Sequence, residues 1–281
     1  MPEYLLLDML YSGVLMGLIS TGFFISLKYC KVFLMSYGGI VLSGAYIATL
    51  VQPSVVGWLI ALCIAACAGA FLGGGHYLLL RSGLRKQQSI NSILLTWGVA
   101  LIFAEFYRIV FGPAGRFAPA IFDVSSSDAM FPATRVIILS VAMGILFLIF
   151  VFAFFLRTIR LRFEALAEDH RTAAEYGVPI TRYLIISFAL TGLIGGVSGV
   201  LLSQDNAITP YLGVQFTIQA ALAGLIVGPR LIQGFIAAFS IGAGRVFLGF
   251  NFGITEGWLM VLGGALFFAV LNKAQGIRYG N

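Results

Sequence analysis

Apolar residues in this chain run in long blocks; they neither alternate with period two nor gather on one stripe of an amphipathic helix. Most blocks approach the ~20 residues that carry a helix across about 30 Å of hydrocarbon. Cutting at charges and at Pro/Gly clusters gives candidate spans at 4–25, 32–51, 55–80, 90–111, 135–156, 183–203, 214–227, 231–250 and 254–271. The pattern therefore predicts one all-α domain over residues 1–281, a polytopic membrane helical bundle of about eight or nine segments. Two segments are unusual. Residues 214–227 are short for a full span, and Gly38, Gly39 and Gly44 are expected to interrupt 32–51. Short or broken segments are tolerated at membrane depth only when protein or a water-filled cavity surrounds them.

Two connections are long. Residues 112–134 carry Pro113, Pro119, Pro132 and the run Ser125, Ser126, Ser127, and should be irregular. Residues 157–182 are charged, yet Phe163 to Tyr176 is rich in helix formers, with Gly177 placed as a C-cap and Pro179 as a stop. One short helix on the membrane surface is the natural expectation.

Composition turns this pattern into a class. Of 281 residues 60% are hydrophobic and only 10% charged, with a mean hydropathy of +0.99. A soluble chain of this size has too little interior to hide that surface. Soluble enzymes and nucleic-acid-binding domains are excluded, and lipid is the expected partner of most of the surface.

The net charge of +6 then reads as a topology signal. Alternate connections hold Lys28, Lys31, Arg81, Arg85, Lys86, Arg157, Arg160, Arg162, Arg171, Arg182, Arg230, Lys273 and Arg278. The other set holds Arg108, Arg116, Arg135 and Arg245. Placing the first set inside predicts a multi-pass inner-membrane protein with its N-terminus outside and its C-terminus cytoplasmic. Glu3 and Asp8 stand where a cleavable signal would be basic, so the first apolar block reads as a membrane helix.

Candidate chemistry is sparse. There is no G-x-x-x-x-G-K-[ST] loop, no H-E-x-x-H and no G-x-S-x-G, so enzyme activity and a resident cofactor are not expected. Cys63 and Cys67 share a helix face but have no further ligands near them, and read as small packing residues. Glu105 and Arg108, at i and i+3, can pair on one face. Arg245 and Glu256 can pair across a hairpin or snorkel outward. Ser198, Gln215, Gln219 and Ser240 are expected to bond between helices. Small residues at four-residue spacing, among them Gly69 and Gly73, Gly192 and Gly196, and Gly195 and Gly199, clear faces for close packing. A solute path is expected beside the second segment at Tyr37, Gly38 and Gly39, faced by Asn91, Ser92 and Thr96. Irregular backbone there could offer polar groups to a small neutral or zwitterionic solute.

The stretch Ala165-Leu166-Ala167-Glu168-Asp169, then Ala173-Ala174, Gly177-Val178 and Arg182, resembles the permease subunit of branched-chain amino-acid ABC importers. Phe188-Ala189-Leu190-Thr191-Gly192, Gly199-Val200-Leu201-Leu202, Thr209-Pro210-Tyr211-Leu212-Gly213, and Gly13, Gly17 and Gly44-Ala45-Tyr46 extend the likeness over nearly the whole chain. Two places depart from it. The family's Asn-Phe-Ala-His-Gly-Glu is Leu34-Met35-Ser36-Tyr37-Gly38-Gly39 here, and its Gly-x-Gly-Ser turn is Gly228-Pro229-Arg230-Leu231. The resemblance implies that Ala165, Glu168, Asp169, Ala173, Ala174 and Gly177 belong to a helix that docks on a cytoplasmic ATPase. It also implies a second homologous permease subunit, two ATP-binding cassette subunits that bind ATP and Mg, and a periplasmic solute-binding protein. Amino acids are the expected solute, with urea, amides or other small organic solutes as the alternative within the family. A self-contained secondary transporter or channel is the rival outside it.

Overall fold

The computed structural model describes residues 2–86, 89–119, 137–144, 157–204, 206–227 and 231–253. The helices are α1 (Pro2–Ile25), α2 (Tyr37–Ala48), α3 (Val55–Lys86), α4 (Ser89–Phe111), α5 (Arg157–Glu168), α6 (His170–Glu175), α7 (Ile180–Leu202), α8 (Leu212–Val227) and α9 (Leu231–Phe252). Residues 137–144 form a further helical piece. A π-helical turn, Ser26–Cys30, ends α1 and closes on Lys31 in the left-handed region (φ 55°). Among the described residues, five stretches are long and apolar enough to cross a membrane: Leu5–Cys30, Val55–Arg81, Ser92–Phe111, Ile180–Leu202 and Leu231–Asn251. Tyr37–Ala48 and Leu212–Gly224 are shorter apolar helices. The expected spans 135–156 and 254–271 lie largely or wholly outside the described residues.

The bundle is layered. α1 and α7 are mostly buried, 89% and 72% of their most apolar stretches, whereas α3, α4 and α9 are buried over only 28%, 22% and 17%. The outer helices turn Leu94, Ile102, Ile109, Phe71 and Ile232 away from the protein, the composition of a lipid-facing surface. α2 sits inside this ring, with Tyr37, Ile40, Val41, Ala45 and Tyr46 essentially without exposed surface.

Glycines make the inner layer possible. α3 and α7 cross antiparallel through Gly69, Gly73, Gly192 and Gly196, with backbone touching backbone. α2 meets α7 the same way, with Gly44 on the Gly196 carbonyl and Gly199 on the Val41 carbonyl. In lipid, where apolar burial gives helices no preference for one another, such close van der Waals contact drives association. This corrects one expectation. Gly38, Gly39 and Gly44 do not break the second segment, because α2 runs through all three; the irregular stretch lies before it, between Lys31 and Ser36.

Two smaller expectations are also corrected. Ser198 and Ser240 bond to the carbonyls of Ile194 and Ile236, one turn back on their own helices, and not to another helix. Cys63 and Cys67 lie exposed on α3 and not in the buried interior of the bundle. Among the described residues no group of three or more His, Cys, Asp or Glu could hold a metal ion.

Candidate functional site

The start of α2 is a packing hub. Tyr37 Oη donates to the Ile19 carbonyl at 2.8 Å, and the ring packs edge-on to Phe23. Gly38 lies directly on the Gly213 carbonyl, which brings the first turns of α2 and α8 together, and its N–H donates to Thr217 Oγ1 at 2.8 Å. Gly39 is covered by Phe103, and its carbonyl accepts from Tyr107 Oη at 2.9 Å.

The irregular approach to α2 is tied down just as fully. Thr96 Oγ1 accepts from the Met35 N–H and lies within 3.3 Å of the Phe33 carbonyl. Ser36 Oγ and His76 Nε2 share a bond of 2.7 Å, while His76 Nδ1 lies 2.7 Å from the Leu72 carbonyl. The structure thus brings Thr96 to the segment as expected and buries Ser92. The Asn91 side chain is outside the described set. Sequence reasoning missed His76, Thr217 and Tyr107, whose partners are distant in the chain. Thr217→Val should leave the buried Gly38 N–H without a partner and cost about 1–3 kcal/mol. A thermal melt of the detergent-solubilised protein checks this, and an unchanged midpoint would refute it.

One face of the bundle carries an elbow made by α5 and α6. A single helix over 163–176 was expected, but the chain breaks at Asp169. Its Oδ2 accepts from the Thr172 N–H at 3.2 Å and from Thr172 Oγ1 at 2.8 Å, an N-cap that starts α6 as a new helix. Gly177 (φ 77°) ends it, with the Val178 N–H returning to the Ala173 carbonyl at 3.0 Å.

The elbow is bolted to the end of α1. Lys28 Nζ pairs with Glu164 at 2.7 Å, Lys31 Nζ donates to the Glu168 carbonyl at 2.8 Å, and His170 Nε2 lies 3.1 Å from the Tyr29 carbonyl. Phe163 packs between Tyr29 and Tyr183. Of the residues singled out on this helix, Ala173 points into the protein (1% exposed), and Ala165 and Asp169 are half-buried. Glu168, Ala174 and Gly177 are exposed, beside Tyr176 at 83%.

The opposite face carries a cavity of about 210 Å³ between α1, α7, α8 and α9. Asp8, Tyr11, Ser12, Asn206 and Arg245 supply its polar wall, and Met16, Ile19 and Phe216 are among its apolar lining. Arg245, read from sequence as a hairpin partner or a snorkelling side chain, faces this cavity. Asp8 was not singled out as a site residue at all. Glu105 and Arg108, on α4, form the expected pair at 2.8 Å, both half exposed. Arg116 and Ile208 form a two-bond bridge that ties the loop after α4 to the loop before α8.

Residues 5–271 match the family described as "Branched-chain amino acid transport system / permease component". The chain belongs to this permease family.

Curated relatives agree. The permease is 23% identical over 258 residues to the high-affinity branched-chain amino acid transport system permease protein LivH of Escherichia coli K12, covering 81% of this chain and 80% of that protein. It is 25% identical over 245 residues to a probable branched-chain amino acid transport permease protein LivH of Methanocaldococcus jannaschii, covering 83% and 76%. Among solved structures it is similar to PsaBC from Streptococcus pneumoniae in complex with Fab, with 19% identity, a TM-score of 0.47, and coverage of 95% of this chain and 90% of that one. The permease is a helical, multi-pass transport component.

Proposed function

We propose that this chain is the membrane subunit of an ATP-driven importer for a small zwitterionic or polar solute, with branched-chain or other amino acids favoured. The observation that carries this reading is the elbow. A pair of helices stands on one face, bolted to the π-helical end of α1 by Lys28, Lys31, Tyr29 and His170, and presents Ala174, Glu175, Tyr176 and Gly177 outward. A protruding tip of small and aromatic residues suits a groove on a soluble partner. Its attachment to α1 would carry movement of that partner into the bundle.

In this reading the elbow face is cytoplasmic. Lys28, Lys31, Arg81, Arg162 and Arg182 belong to it, whereas Arg108, Arg116 and Arg245 belong to the other face, as the positive-inside rule requires. Two ATP-binding cassette subunits would dock there and hold ATP and Mg. A second, homologous permease subunit would complete the membrane part, and a periplasmic solute-binding protein would deliver the solute to the opposite face. The path would descend from the cavity floor at Ile19 and Phe216 past Tyr37, Gly38 and Gly39, with Asn91, Ser92 and Thr96 alongside. Ile19, Phe216 and Tyr37 share one buried cluster, so this lower half is closed here.

The chain should bring ATPase subunits with it on purification from its native membrane. A Thr172→Cys variant should label only from the cytoplasm and Phe117→Cys only from outside. Purification free of ATPase, or labelling of both from one side, would defeat the proposal.

A further inference from the structure

The rim of the bundle beside the elbow carries basic side chains that the fold itself does not use. On this face the lysines are engaged within the chain: Lys28 pairs with Glu164, and Lys31 donates to the Glu168 carbonyl. The arginines differ. Arg81, near the end of α3, and Arg182, in the first turn of α7, are exposed, and neither joins an ion pair among the described residues. Arg162 of α5 is exposed as well and gives one N–H to Tyr183 Oη at 3.2 Å, a neutral acceptor. Packing gathers the three. α3 and α7 cross with Gly73 on the Phe188 carbonyl. Beyond that crossing Tyr77 and Leu80 of α3, Tyr183 and Leu184 of α7 and Phe163 of α5 belong to one buried cluster. Arg81 follows Leu80, Arg182 precedes Tyr183 and Arg162 precedes Phe163, so each guanidinium is rooted beside a member of that cluster. Three or four residues deeper, roughly 4.5–6 Å along the helix axes, α3 turns Leu78 outward and α7 turns Ile185 and Ile186 outward.

From this arrangement we infer that the rim formed by α3, α5 and α7 binds the phosphate headgroup of an anionic membrane phospholipid, whose acyl chains lie over Leu78, Ile185 and Ile186. The charges stand at headgroup level and the apolar side chains one turn further in, so a single amphiphile satisfies both. A soluble anion would leave the apolar flank uncovered, and a lipid without net charge would leave the guanidinium charges unmatched. The topology rule asks only for positive charge, which lysine supplies equally well. Arginine adds geometry: its planar fork gives two parallel bonds to phosphate oxygens, and it sheds water more readily than an ammonium. Attraction to an anionic leaflet is worth roughly fivefold in binding per arginine. The bound lipid would also brace the joint between elbow and bundle, because Arg162 belongs to α5 whereas Arg81 and Arg182 belong to bundle helices. This inference concerns the lipid-facing rim and stands whichever solute is carried.

The test extracts the full-length chain into detergent with equimolar phosphatidylglycerol, phosphatidylethanolamine and phosphatidylcholine of matched acyl chains. Native mass spectrometry then counts the lipids retained. Phosphatidylglycerol should be retained selectively, and a prior wash with excess inorganic phosphate should not displace it. Arg81→Gln and Arg182→Gln should each lower that selectivity roughly fivefold, and the triple variant with Arg162→Gln should abolish it. The corresponding lysine variants should restore it in part. Arg108→Gln, which removes the same charge on the opposite face, should leave it unchanged. Melting in phosphatidylcholine nanodiscs reads folding separately; the two single variants lose no ion pair among the described residues and carry the test if the triple variant fails to fold. Equal retention of the three lipids, selectivity unchanged in every glutamine variant, or an equal loss in Arg108→Gln would each overturn the site. Displacement by inorganic phosphate would show a bare anion site and overturn the lipid assignment. Loss of ATPase co-purification with lipid selectivity intact would assign the arginines to a protein partner and overturn it too.

Discussion

Gly44→Ala should prevent the bundle from assembling, although it adds one methyl group to a helix interior. That methyl would overlap the Gly196 carbonyl oxygen, and behind Gly196 stands the Ala65 carbonyl of α3. A side chain can rotate away from an intruding atom; a backbone carbonyl held in two helix ladders cannot. Overpacking of this kind costs about 1–3 kcal/mol where neighbours can adjust, and here the expected loss is at or above the top of that range. Gly74→Ala is the matched control, since nothing lies within 4 Å of a methyl group there. The control should be folded and within about 1 kcal/mol of the parent, on the favourable side by helix propensity. Thermal unfolding and size-exclusion profiles in detergent read both variants. A well-folded Gly44→Ala protein would show that the α2–α7 contact is not the close one described.

Ala174→Trp at the elbow should separate folding from coupling. Ala174 is exposed and makes no part of the buried core, so the variant should insert and unfold like the parent. Docked on a partner, the added indole would force the interface apart at a cost of about 1–3 kcal/mol, roughly a 5- to 150-fold fall in association and in solute-stimulated ATP hydrolysis. Ala173→Trp, one residue earlier, should instead damage the chain itself, because Ala173 is 1% exposed against its own protein. The pair is read by uptake, ATPase activity and melting temperature together. Normal uptake by Ala174→Trp would remove the elbow tip from the docking surface.

The two predictions draw on different kinds of information in the chain. Run length and composition, local properties, were enough to mark the helices. Expected and observed starts agree within three residues for 55–80, 90–111, 183–203, 214–227 and 231–250. Lipid explains why. With no water to satisfy backbone groups, an apolar block of spanning length has the helix as its only single-segment solution. The ends of the α5–α6 region were equally legible where the signal was local, as at Gly177, whose positive φ suits a residue without a Cβ. The same logic failed at Asp169, which sits among helix formers yet captures the Thr172 N–H and starts a second helix.

What the chain order could not decide was which surfaces meet. Gly38, Gly39 and Gly44 read as breaks, since glycine is a poor helix former in isolation. In the fold they are the positions where Gly213, Phe103 and Gly196 come too close for any side chain, and the ring of neighbours holds the helix that propensity alone would not. Asp8 and Arg245 are separated by most of the chain, and nothing local links them. Only the antiparallel crossing of α1 and α9, set by Gly13, Gly17 and Gly242 packing against the opposite helix, brings acid and base to one cavity. Sequence thus determined the solvent, the helices and the family resemblance, because each depends on neighbours in the chain. Tertiary structure decided the packing hub, the elbow's inward and outward faces and the charged cavity, because each depends on distances between residues far apart in sequence.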